Sequence, residues 1–72
     1  MKIYVLSIYV GWDATEVRGV YANREEAFAV GKKLREETGW DGFIEEFVMG
    51  QTDEKGLAHD SWSISELVRK GE

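Results

Sequence analysis

The segment IYVLSIYV, residues 3–10, decides how this chain is read. It is short, rich in β-branched and aromatic residues, and apolar at odd and even positions alike. Side chains of a strand alternate between two faces, so this strand is apolar on both and belongs inside a sheet with something covering each side. Tyr4, Leu6, Ile8 and Val10 make up the purely apolar half and are assigned to the face that a helix covers. Ile3, Val5, Ser7 and Tyr9 point the other way.

Working outward, the first strand is expected over Lys2–Val10. Residues 11–15 (GWDAT) follow as a loop with Gly and Asp as turn residues, then Glu16–Tyr21 as a second strand, the pair forming an antiparallel hairpin. Alternation puts Val17 and Tyr21 on one face, Arg18 and Val20 on the other, with Gly19 marking a bulge or close approach. Asn23 followed by Glu26 resembles a capping box, which predicts a helix from Arg24 to Thr38, closed by Gly39 in a left-handed conformation. Ala27, Val30, Gly31 and Leu34, flanked by Phe28 and Thr38, are spaced to face the sheet. Gly31 lowers helix propensity, and close seating of the helix on the sheet is the reason assigned to it.

Phe43–Met49 (FIEEFVM) reads as the third strand, with an acid between apolar neighbours on each face, a pattern expected of a charged edge strand. Residues 51–62 read as a mobile polar loop, and residues 63–70 as a short C-terminal helix capped by Ser63 and Glu66. A short strand through Trp62 and Ile64 is the competing reading. The expected fold is one α+β domain over residues 1–72, in the order β-β-α-β. It has a three-stranded antiparallel sheet of order 2-1-3, one long helix on one face, and the short C-terminal helix.

Composition bounds the rest. A chain of 72 residues buries only about 60% of its unfolded surface, and small folds lean on a disulfide, a metal or a partner. There is no cysteine and one histidine, His59, which argues against disulfides and His- or Cys-based metal sites and points to oligomerisation. The second sheet face is expected to be covered by the tail or by a second copy, through Ile3, Val5, Tyr9, Trp62, Ile64 and Leu67, and a homodimer is favoured. The net charge is −5, and Glu36 to Glu54 holds seven acids with no Lys or Arg, which disfavours direct nucleic-acid binding. No stretch is long enough to span a membrane, and a cytoplasmic location is the default expectation.

The tripeptide Gly-Trp-Asp occurs twice, at residues 11–13 and 39–41. The expected topology brings both to one end of the sheet. Each Trp can act as a lid on the core, or the two can form an aromatic, acidic docking point. Partner-binding residues are therefore sought among Trp12, Asp13, Trp40, Asp41, Glu45 and Glu46. No Gly-rich phosphate loop is present, and Ser61, Ser63 and Ser65 near His59 are better explained by capping and turns than by a hydrolytic triad. Glu45 and Glu46 point to opposite faces of a strand and cannot act as an acid/base pair. No enzymatic activity and no cofactor are expected.

With these residues assigned, KIYVLSIYV, EVRGVYANREEAFAVGKKL and GWDGFIEEFVMG together resemble a family of short bacterial and phage-borne β-β-α-β proteins of unassigned activity. The matching positions are Gly19, Val20, Tyr21, Arg24, Glu25, Glu26 and Ala27, then Asp41, Gly42, Phe43, Ile44, Glu46 and Phe47. The likeness covers about residues 2–50, and the tail after Gly50 departs from it. The resemblance implies a small accessory protein, often carried on mobile elements, where short acidic proteins act by binding and blocking another protein; if it is phage-borne, the expected target is a host defence or nucleic-acid enzyme in the host cytoplasm. A different class of reading, a small sensor or sponge holding a nucleotide or cationic metabolite between aromatic rings, stands beside it.

Overall fold

A computed structural model describes residues 1–50, 58 and 60–71. The chain runs β1 (Lys2–Tyr9), β2 (Thr15–Tyr21), α1 (Arg24–Thr38), β3 (Gly42–Val48), β4 (Asp60–Ser63) and α2 (Ile64–Arg69). The α+β class and the 2-1-3 arrangement hold, but the sheet has four antiparallel strands in the order β2-β1-β3-β4. β4 hydrogen-bonds to β3, pairing Phe43 with Ser63, Ile44 with Trp62 and Glu45 with Ser61, so β3 is an inner strand and not the edge its charges suggested. The segment DSWS offers one apolar side chain and carries turn formers, so its strand character comes from the partner strand and not from local propensity. Residues 60–62 thus leave the predicted loop. Its remainder, with His59, lies outside the described residues apart from Ala58.

The tail uses both of its competing readings in turn, strand to Ser63 and helix from Ile64. Ser63 caps α2, its Oγ accepting the Glu66 N–H at 3.1 Å. α1 forms with the predicted limits. The Asn23 side chain accepts the Glu26 N–H at 2.8 Å, and Gly39 sits at φ 77° with its N–H donating to the Arg35 carbonyl. Thr38, expected to face the sheet, is exposed, and its hydroxyl donates back to the Leu34 carbonyl at 2.7 Å.

Both helices lie on one face. Leu6, Ala27, Ile44, Ile64 and Leu67 form the buried cluster, with Tyr4, Tyr21, Phe28, Val30, Leu34, Trp62 and Val68 packed around it. α2 packs on α1, β3 and β4, so Trp62, Ile64 and Leu67 complete the helix-side core and do not cover the second face. Ile3 and Val5 on that second face stay half-buried and Tyr9 is exposed. A register shift between Leu6 and Ser7 leaves Arg18 as the extra residue of a bulge in β2. Val17, opposite Ser7, therefore joins Val20, opposite Val5, on the open face, and Tyr21, opposite Tyr4, goes to the helix side. Simple alternation had grouped these three differently, because one inserted residue inverts the facing of everything beyond it.

Two predictions concern this core. A Cβ on Gly31 would lie 2.7 Å from Ile64 Cδ1 and 3.0 Å from Leu6 Cδ1, both atoms of fully buried side chains. Gly31→Ala gains about 1 kcal/mol of helix propensity but overpacks the core by about 1–3 kcal/mol. A lower urea midpoint is expected; an unchanged or raised midpoint would show that the core yields. The Tyr4 hydroxyl donates to Glu46 Oε1 at 3.0 Å, and this bond, with burial and the carboxylate's charge, raises the phenol's pKa. A raised pKa means the fold favours the neutral phenol. Its stabilisation is complete below the unfolded value of about 10 and is lost as pH rises beyond it. Urea unfolding across that range should show stability falling more steeply for the wild type than for Tyr4→Phe. Parallel curves would remove the assignment.

Candidate functional site

The site is built where β1 ends. The Val10 N–H donates to the Ala14 carbonyl at 3.0 Å and closes a tight hairpin loop that projects Trp12. On the other side, Gly39 turns the chain out of α1, and the Trp40 N–H donates to Thr38 Oγ1 at 3.1 Å. The Tyr9 N–H donates to the Asp41 carbonyl at 3.0 Å, which fixes the end of β1 to the connection between α1 and β3. The two Gly-Trp-Asp corners therefore meet at one end. Tyr9, Gly11, Trp12, Gly39, Trp40 and Asp41 line an open groove of about 390 Å³.

Trp12 is fully exposed, at 104% of its reference area, and Trp40 is 47% exposed. Neither indole caps the core. A tryptophan of about 150–250 Å² left in water forgoes several kcal/mol of burial at about 25 cal/mol per Å². Trp12 forgoes nearly all of that and Trp40 about half, so the groove they line gains from being covered. Tyr9 adds a third ring, its centroid 5.4 Å from that of Phe43.

The acids divide. Asp13 is exposed in the hairpin loop beside the groove without lining it. Asp41 is committed to structure: Oδ1 accepts the Ser65 N–H at 3.0 Å and Oδ2 accepts the Ser65 hydroxyl at 2.8 Å, with Arg35 Nε 3.8 Å away. It satisfies a first-turn donor of α2 from outside the helix, as a capping residue does from within. Glu45 and Glu46 sit mid-strand, away from the groove and on opposite faces, opposite Val5 and Tyr4 respectively. Glu46 is 6% exposed, accepts from Tyr4 and pairs with Lys2 Nζ at 3.2 Å, so it is an internal anchor and not a docking residue. Of the six residues sought, Trp12, Trp40 and Asp41 come together in the groove.

Sequence reasoning placed Tyr9 on the open face without seeing that it also lines the groove. The tie from Asp41 to Ser65 spans 24 residues, and no local pattern announces it. Among the described residues, no three His, Cys, Asp or Glu gather as metal ligands, and no helix is long and apolar enough to cross a membrane. No protein-family model, curated protein or solved structure matches the chain, so the functional reading is argued from this geometry.

Removing the Asp41 carboxylate leaves a first-turn donor of α2 without its partner. Asp41→Ala should lower stability by about 1–2 kcal/mol in urea unfolding, and adding Ser65→Ala should cost less than the sum of the two single changes. Strict additivity would show that the two side chains do not work as a pair.

Proposed function

We propose that this chain is a small non-enzymatic protein-interaction module, an accessory or inhibitor protein that grips another protein through its tryptophan-bearing end. The observation that carries this reading is the pair of exposed indoles lining a single groove. Tyr9 and Asp41 are held beside them by backbone pairing. Interface hot spots are enriched in Trp and Tyr, and rigid rings lose little conformational entropy when covered. With Asp13 at the rim, the groove suits an apolar anchor or the cationic end of a Lys or Arg laid over an indole. If the chain is phage-borne, the partner is a host defence or nucleic-acid enzyme met in the host cytoplasm.

The size of the groove also favours a second reading. About 390 Å³ falls within the roughly 300–1,000 Å³ typical of small-ligand sites, so a planar cation held between the indoles is the competing occupant. One set of experiments separates the two. Affinity capture from host extract with the wild type and with Trp12→Ala/Trp40→Ala should lose the partner by about tenfold or more in the double variant. Indole fluorescence should meanwhile stay flat across nucleotides and quaternary ammonium compounds. Equal capture by both proteins rules out the groove as the contact, and a saturable fluorescence change with a small molecule transfers the site to the second reading.

A further inference from the structure

The face of the sheet opposite both helices presents Ile3, Val5, Val17, Val20, Phe43 and Phe47, with serines of β1 and β4 between them and, among the described strand residues, one carboxylate, Glu45. Val17 and Val20 are exposed, the other four are half-buried, and both helices lie on the far side. Glu45 stands between Val5 of β1 and Ser61 of β4, with Phe43 and Phe47 as its neighbours along β3. Among the described residues, none forms an ion pair or hydrogen bond with its side chain. The nearby strand cations are engaged elsewhere, Lys2 with Glu46 on the helix side and Arg18 with Glu16. An unpaired acid with Val5, Phe43 and Phe47 on three sides and Ser61 on the fourth offers a cation a carboxylate on a largely apolar face.

We propose that this face docks an amphipathic helix of another protein whose apolar stripe is interrupted by one Lys or Arg, the cation meeting Glu45. Charge decides the occupant. A second copy would bury two Glu45 carboxylates in one layer and bring no strand cation to either, which is costly in a desolvated interface. A basic, apolar helix supplies the missing charge and covers the rings together. The opposite face shows that the sheet accepts helices: α1 and α2 both lie across it. β1 has 8 residues, and at about 3.4 Å per residue against 1.5 Å in a helix, about 18 helical residues cover its length. The proposal rests on the reading of the chain as an interaction module, but not on the tryptophan groove. Tyr9, which packs on Phe43 and lines the groove, makes the two surfaces continuous.

The test is an amide-shift titration of the full-length labelled protein with two amphipathic peptides of about 18 residues, identical except for Lys or Glu at the centre of the leucine stripe. The Lys peptide should bind about tenfold more tightly, with shifts at Val5, Phe43, Glu45 and Phe47; Glu45→Lys should reverse the preference and Glu45→Gln abolish it. Both variants must keep wild-type shifts at Ala27 and Leu67, the check that the core is intact. Trp12→Ala/Trp40→Ala should retain the Lys preference, so loss of the groove reading and loss of this one are told apart. Equal binding of the two peptides, binding of neither, or shifts confined to the tryptophan end would overturn the proposal. So would sedimentation showing a wild-type dimer that a charge on this face, Val20→Glu, returns to monomer.

Discussion

The architecture depends on one close approach. At Gly31 the α1 backbone has no side chain to hold it off, and Ile64 of α2 and Leu6 of β1 come in against it. Three elements far apart in sequence meet there, and the buried cluster of Leu6, Ala27, Ile44, Ile64 and Leu67 forms around that contact. A larger residue would have to displace the ends of two fully buried side chains, Ile64 and Leu6. In so short a chain there is little other core to compensate, and neither a disulfide nor, among the described residues, a metal cluster is available.

Local chemistry made much of the fold legible. Asn23, Glu26 and Gly39 bracket α1, and the doubly apolar first strand demanded a central place, which together imply the 2-1-3 order. What could not be read was non-local. β4 is a strand because β3 offers it an edge, and its own residues argue otherwise. Glu46 looked like an edge charge and is an internal acceptor for Tyr4 and Lys2, a pairing that exists only once β1 lies beside β3. The bulge at Arg18 reverses the facing of Val17 relative to Val20, although Gly19 beside it had been marked as an irregular point.

The candidate site shows the same division. Two copies of Gly-Trp-Asp could be brought to one end by topology alone, and the indoles do flank a shared groove there. The matching aspartates are not equivalent, however. Asp13 remains in solvent, whereas Asp41 is taken up by Ser65 of the tail. Identical tripeptides acquire different duties from the element that passes nearby, and that element was the part of the chain least readable from its residues.

The Asp41 clamp gives this small fold a mechanical linkage. The same residue contributes a wall of the groove, accepts the β1 backbone through its carbonyl, and holds the first turn of α2 through its carboxylate. The turn that carries Trp40 is therefore tied by its next residue to both the central strand and the terminal helix. An occupant of the groove would thus touch a residue that, together with the β4 ladder and the buried Ile64 and Leu67, holds the tail against the body.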